Sequence, residues 1–214
     1  MKIKWLGHAC FLITSSNGTK IITDPYKVEK AIHYSPIKEE ADIVLVSHDH
    51  WDHNNVTAVK GKPLVVNTSN SSVVKGIEIK GIDTFHDNVM GKERGPNRVY
   101  CFKMDNVRIC HLGDLGHVLT QQQVKEIGQV DILLVPVGGN YTIGASEASS
   151  ICEKLQPKVI IPMHYKNSRC DFPIEDVSPF LKTMDKVKSK EYTEIEITSD
   201  KLPTAMEIMV LIPA

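Results

Sequence analysis

At 214 residues the chain is the size of one ordinary domain, read as a single unit over 1–214, and is long enough to bury a substantial core. Hydrophobic residues make up 42% and charged residues 24%, a balance that excludes a disordered or fibrous chain. The net charge of −1 lacks the basic excess of a nucleic-acid binder, and no apolar run approaches the roughly 20 residues that cross a bilayer.

The opening "MKIKWLGHACFLI" sets basic residues before apolar ones, as a signal peptide does, but Gly7 and His8 interrupt it and no small-residue cleavage site follows. The expected elements are short strands, "IKWL", "CFLIT" and "KIITD", with "SSNGT" as the hairpin turn between the second and third. "ADIVLVSH" is nearly continuous in apolar residues, as a strand buried on both faces would be. "PLVVN", "IEIKGIDTF", "RVYCFKM" and "VRICHLG" continue the series, with a turn at Asp105-Asn106 between the last two.

From Thr120 the pattern alternates. "TQQQVKEIG" predicts a short helix capped by Thr120 and ending at Gly128, followed by the buried strand "VDILLVPV". "SEASSICEKLQ" has helical spacing with Ser146 as its cap, and "KVIIPMH" is another strand. "PIEDVSPFLKTMDKV" reads as mostly helical with a break or new first turn at Pro179, and the lysine-rich "KTMDKVKSK" as a solvated helix face. "YTEIEIT" and "MEIMVLI" are late strands. Strands first and α/β alternation later predict a layered α/β fold. The cysteines (Cys10, Cys101, Cys110, Cys152, Cys170) are odd in number and form no C-x-x-C pair. Reduced thiols in a cytoplasmic protein are therefore expected, with Cys10, Cys101 and Cys110 as small buried hydrophobes.

Three apolar strands end in residues that bind metals: "DIVLVSHDH", "VRICHLGD" and "KVIIPMH". Functional groups gather where strands end and loops begin. In "SHDHWDHNN", Ser47 to Asn55, His48 and His50 lie two apart and share a face if the strand end is extended. Asp52 and His53 follow after a bend. Imidazole and carboxylate together suit zinc, manganese or iron. A lone histidine is usually an ordinary core or surface residue, but three with an aspartate at H-x-H-x-D-H spacing point to metal.

That segment resembles the signature of the metallo-β-lactamase superfamily, and "LGHACFLI" and "KIITDPY" look like the first strands of its small metal-dependent hydrolases. The branch nearest in style holds the ascorbate-phosphate lactonases and the N-acyl-phosphatidylethanolamine-type phospholipases D. The resemblance implies an αββα sandwich of four layers with metals at one edge of the two sheets. It implies two divalent ions, zinc first and manganese or iron as alternatives. The first would take His48, His50 and His86 of "DTFHDN", with His111 competing for that third place. The second would take Asp52, His53 and His164 of "IIPMHY". Asp114 of "HLGDLG" matches the bridging aspartate and Asp24 of "ITDP" an early aspartate beside the site. His8, Asp49, His111 and His117 are candidates for orienting the ligating imidazoles, and His33 is expected at the surface.

The implied reaction is hydrolysis of a lactone, ester, amide or phosphodiester of a small molecule. The nucleophile would be a hydroxide shared by the two ions, and Asp52 would orient it while ligating the second ion. In "VGGNYTIGASEA", Gly138 and Gly139 either admit substrate or only make a tight turn, and Tyr141 is a candidate hydrogen-bond donor to substrate. Lys166 and Arg169 could meet an anionic group or be plain surface charges, and "NVMGKERGPNRVY" has the composition of a mobile lid. Competing readings are a nuclease or phosphodiesterase acting on nucleic acid, and a di-iron redox or sensing protein of the same fold. A small-molecule partner is expected, with neither nucleic acid nor membrane, and nothing in the sequence sets the oligomeric state.

Overall fold

The structure, a computed structural model, describes residues 1–214 as two packed β-sheets with three short helices. The strands are β1 (Lys2–Gly7), β2 (Cys10–Thr14), β3 (Lys20–Thr23), β4 (Ile43–Leu45), β5 (Leu64–Val66), β6 (Ser72–Val74) and β7 (Ile77–Phe85). They continue with β8 (Pro96–Met104), β9 (Val107–His111), β10 (Ile132–Pro136), β11 (Val159–Met163), β12 (Lys188–Tyr192), β13 (Ile195–Glu196) and β14 (Glu207–Leu211). The helices are α1 (Gln121–Ile127), α2 (Ala145–Leu155) and α3 (Ser178–Thr183).

One sheet has the order β13-β1-β2-β3-β4-β5 and the other β12-β14-β11-β10-β9-β8-β7-β6. Both are mixed. β1, β2 and β3 pair antiparallel while β3, β4 and β5 run parallel. β7, β8 and β9 pair antiparallel while β9, β10, β11, β14 and β12 run parallel. The switch follows the connections, since hairpin turns can only join antiparallel neighbours and parallel pairs need a crossover such as α2 between β10 and β11. The β8–β9 hairpin turns at Asp105 and Asn106, both with positive φ (50° and 62°), the conformation that a two-residue turn demands.

The main core lies between the sheets, with Trp5, Phe11, Ile13, Ile43 and Leu45 from one and Tyr100, Phe102, Ile109 and Leu134 from the other. All five residues of β10 and of β11 are buried, as their unbroken apolar runs predict. Each such aliphatic side chain contributes roughly 1.5–3 kcal/mol, which is how a strand as short as β4 is held. α2 lays Ala148, Ile151, Cys152 and Leu155 into this core. The helices belong to the larger sheet. The outer face of the smaller one is covered mainly by loops instead, with Tyr26, Ile32, Tyr34, Ile37, Val59, Cys170 and Ile174 packed on Leu6, Cys10, Ile22, Val44 and Val46. That outer layer of the sandwich is therefore irregular chain and a 3-10 turn at Val56–Ala58.

Several local expectations are corrected. The cap of α2 is Gly144, whose N–H donates to Glu147, and Ser146 lies inside the helix. The helix expected over "PIEDVSPFLKTMDKV" forms only over Ser178–Thr183. The lysine-rich stretch beyond it is the exposed edge strand β12, which pairs parallel to β14. Charged side chains on an edge strand discourage pairing with another chain. All five cysteines are free. No helix is long and apolar enough to cross a membrane.

Candidate metal centre

Six strands deliver the site by their ends. β1 runs into His8, β3 into Asp24, β4 into Ser47 and His48, β7 into His86, β9 through His111 to Asp114, and β11 into His164. Three of these residues leave their strands with positive φ: His8 (55°), Asp24 (36°) and His164 (52°). Left-handed backbone at a non-glycine residue costs about 1 kcal/mol or more and persists only where the surroundings enforce it. Here they do. His164 N–H donates to His8 O at 3.1 Å, and that same oxygen accepts from Trp5 Nε1 at 2.9 Å.

Buried beneath the centre, Asp24 acts as a hub. Its Oδ1 accepts from the Ser47 N–H and its Oδ2 from the Ser47 hydroxyl, both at 2.7 Å. The same Oδ2 lies 2.9 Å from His111 Nε2 and 3.2 Å from His53 Nδ1. Ser47 Oγ in turn lies 2.9 Å from His48 Nδ1. These outer partners engage the Nδ1 atoms of His48 and His53, so that both rings present Nε2 to the interior.

The inner face converges on Asp114. Its Oδ2 is 3.1 Å from His53 Nε2, 3.2 Å from His86 Nε2, 3.2 Å from His164 Nε2 and 4.0 Å from His48 Nε2. His48 Nε2 is 3.0 Å from His50 Nδ1. Two sets of ligand-type atoms result, His48 with His50 and His86, and His8 with His53, Asp114 and His164, each set within 4.8 Å of one another. Asp52 sits at the margin, with Oδ2 3.3 Å from His8 Nε2 and 3.9 Å from His53 Nε2.

Burial opposes charge throughout this centre, and the neighbours decide each outcome. At Asp24 burial is outweighed by His111 and His53, and at Asp114 by His164 and His53, so both carboxyls titrate well below the usual range. Burial would lower His53, but Asp114 and Asp24 raise it well above the ordinary histidine value. Burial and the neighbouring His53 push His48 well down, and burial with His164 brings His8 to about 4. His48 and His8 are thereby kept neutral, the form of imidazole that ligates metal.

Whether these residues suit a metal is tested by their unmet bonding capacity. Asp114 Oδ1 is buried and makes no hydrogen bond within the chain, and His53 Nε2, though 3.1 Å from Asp114 Oδ2, is not aligned to bond to it. Buried polar atoms normally find partners, and orphaned ones need a reason. A nitrogen-and-oxygen donor set without thiolate, in which His48 and His53 are turned inward by outer hydrogen bonds, suits zinc, manganese or iron.

The structure thus brings together His8, His48, His50, Asp52, His53, His86, Asp114 and His164, with Asp24 and His111 just behind them. Asp49 stands apart, accepting from Asn54 Nδ2 at 2.6 Å on the exposed side of the loop. His117 is half-buried and accepts the Phe85 N–H at 3.2 Å, bracing the end of β7 before His86. His33 is exposed and pairs with Asp171. Gly116 packs directly on His86, where a Cβ would meet its carbonyl carbon at 2.3 Å. A Cβ on Gly138 would meet His164 O at 2.3 Å, so this glycine makes room for a ligand strand end and not for substrate. Lys166 and Arg169 lie elsewhere, Arg169 donating to Ala214 O at 2.6 Å. A cleft of 330 Å³ opens over the centre, lined by His50, Trp51, Asp52, His86, Arg94, Asp114, Tyr141, His164 and Phe172. Arg94 and Phe172 carry no local signal in the sequence and were not expected there. The supposed lid after His86 is instead a turn ordered around Asp87.

Residues 2–164 match the family described as "Beta-lactamase superfamily domain". A UPF0173 protein of Pyrococcus furiosus is 33% identical over 187 residues, covering 77% of this chain and 83% of its own. A UPF0173 metal-dependent hydrolase of Archaeoglobus fulgidus is 30% identical over 211 residues, covering 84% and 87%. Among solved structures, a candidate Zn-dependent hydrolase of the metallo-β-lactamase superfamily from Thermotoga maritima superposes with TM-score 0.80 at 40% identity, covering 98% of this chain and 97% of that one. The chain belongs to the metallo-β-lactamase superfamily, among its metal-dependent hydrolases.

Proposed function

We propose that this metal-dependent hydrolase works with two divalent ions, zinc by expectation, on a lactone, ester, amide or phosphodiester of a small molecule. The observation that carries the reading is the pair of ligand sets meeting at Asp114 on the floor of a cleft. His48, His50 and His86 would hold one ion, and Asp52, His53 and His164 the other, with Asp114 between them and His8 beside the second. Ions bound there supply Lewis acidity and lower the pKa of water to roughly 7.

The chain's own groups supply the rest. Asp52 is positioned by His8 and reaches the cleft, where its carboxylate, kept ionised against burial by His8 and His53, can orient a water. Trp51, Phe172 and Tyr141 form an aromatic wall, with Phe172 5.7 Å from Tyr141 and 6.3 Å from Trp51. That wall excludes bulk water and gives the apolar part of a substrate a surface to rest on. The volume is at the small end of the range for small-molecule sites.

Elemental analysis of the purified protein is expected to find about two transition-metal ions per chain, falling in His48→Ala and in His164→Ala. Chelation abolishes turnover of a responsive member of a panel of lactones, phosphodiesters, thioesters and acyl amides, and zinc or manganese restores it. Protein without bound metal, whose melting temperature ignores chelator, would overturn the reading.

A further inference from the structure

Among the residues lining the cleft only one is a permanent cation, Arg94, and neither the metal centre nor Asp52 uses it. Its backbone is fixed by a built turn. The Asp87 carboxylate accepts four backbone N–H groups, from Val89 (2.9 Å), Gly91 (2.7 Å), Glu93 (2.9 Å) and Arg94 itself (2.9 Å). His86 N–H closes the turn on Gly95 O at 3.0 Å. The residue that enters the first ligand set and the residue that carries the guanidinium are thereby tied into one rigid unit.

The guanidinium stands over the Tyr141 ring, 5.6 Å from its centroid, and Tyr141 is packed in turn by Phe172. An aromatic platform under an arginine leaves its N–H edge available to a planar acceptor. The one carboxylate within 4.0 Å of it, Glu93, is 3.4 Å away on a side chain that is 63% exposed. Such a surface pair contributes little and gives way readily to a better partner. Lys30 stands over Trp51, 4.7 Å from the ring centroid, but does not line the cleft, and Lys166 and Arg169 are turned to another face.

We infer that Arg94 determines the specificity of the cleft by receiving an oxyanion, a carboxylate or a phosphate, that the substrate carries near its scissile bond. The inference rests on the hydrolase reading above and narrows its substrates to small anionic esters, lactones or amides. Arg94 pairs with the oxyanion through two parallel N–H donors while the intervening carbons lie along Tyr141 and Phe172.

The test uses the zinc-loaded full chain and esters with a common leaving group: p-nitrophenyl butyrate, the p-nitrophenyl monoester of glutaric acid, and the matching ester ending in phosphate. The quantity read is the ratio of kcat/KM for each anionic ester to that for butyrate. The native protein favours an anionic ester, and the preferred one tells carboxylate from phosphate. Arg94→Gln lowers that ratio about tenfold to a hundredfold, mainly through KM. Arg94→Lys keeps part of it, and Arg169→Gln keeps it whole. Calorimetric binding of glutarate or inorganic phosphate to the same proteins weakens in parallel. A native protein that prefers butyrate, or an Arg94→Gln ratio equal to the native one, overturns the inference while the hydrolase stands. A protein that takes up no stoichiometric zinc and hydrolyses none of the esters sinks the hydrolase reading. Glutarate and phosphate binding then judges Arg94 separately.

Discussion

Asp24 shows how much of a metal centre lies outside its ligands. It touches none of the inner atoms, yet it orients His53 and, through Ser47, His48, while satisfying His111. Asp24→Ala leaves the Ser47 N–H and two buried imidazoles without their acceptor, a loss of about 3–5 kcal/mol for breaking a buried charged network. Freed rings also bind metal more weakly, by about tenfold to a hundredfold. Urea unfolding checks the first effect and competition against a chromophoric chelator the second, with Asp24→Asn falling between. Unchanged zinc competition in Asp24→Ala would remove its orienting role. At this scale the sequence was legible wherever a motif was contiguous or closed a strand, as with His48, His50, His53, Asp114 and His164. His8 reads as a supporting residue because nothing in "LGHAC" reveals that its backbone turns left-handed and aims the ring at His164, 4.0 Å away between centroids. Lys166 and Arg169, which the sequence left open between a substrate contact and plain surface charge, fall away from the cleft for the same reason. The left-handed turn at His164 sends the following chain away from the cleft. Arg94 reaches it from the far side of a turn whose organiser is one buried aspartate.

Elements are set by apolar periodicity where they are buried and by pairing where they are not. β10 and β11 read directly as unbroken apolar runs, whereas β12 is a lysine-rich stretch with the periodicity of nothing, and only β14 beside it makes it a strand. α2 lacks the side-chain cap that its sequence offered, since Gly144 takes the capping position. At the end of the sheet remote from the histidine cluster, Asp131 does for the strand starts what Asp24 does for the strand ends. Arg108 of β9 grips its carboxylate with Nε and Nη2, each at 2.9 Å, and with its backbone N–H at 2.8 Å. Asp131 O accepts from Lys158 and Val159 at the start of β11. Burial would raise the Asp131 pKa, but the Arg108 side chain and backbone outweigh it and hold it low. A carboxyl depressed on folding contributes fully above its unfolded value near 3.9 and loses that contribution as pH falls through the folded value. Asp131→Asn is expected to cost about 1–2 kcal/mol at pH 7, discounted because Arg108 is half exposed. The gap between variant and native protein narrows as pH falls below 4. Denaturant midpoints at pH 7 and pH 3 measure it, and a gap undiminished at pH 3 would mean the carboxylate charge is not what holds the three strands.

For the whole molecule, the metal centre is also where the two sheets meet. His8, Asp24, His48 and His53 come from strands of the smaller sheet or the loop after it, and His86, His111, Asp114 and His164 from the larger. Metal bound across that seam, as proposed, would have no equivalent site in the unfolded chain and would stabilise the fold by mass action. Free zinc at 1,000 times its dissociation constant contributes about 4 kcal/mol. For a chain of this length that raises the melting temperature on the order of 10 °C. Calorimetric scans from excess chelator to buffered micromolar zinc are expected to show the midpoint climbing with the logarithm of free zinc. Two variants separate linkage from general stability. Asp131→Asn lies at the opposite end of the strands and lowers the midpoint by the same amount with and without zinc, as distant independent sites do. Asp24→Asn reduces the zinc-dependent increment itself, because the affinity that generates it has fallen. If the increment survived intact in Asp24→Asn, or if the midpoint were flat across three decades of free zinc, the seam would be held by packing alone and the clustered histidines would not be joining the sheets through metal.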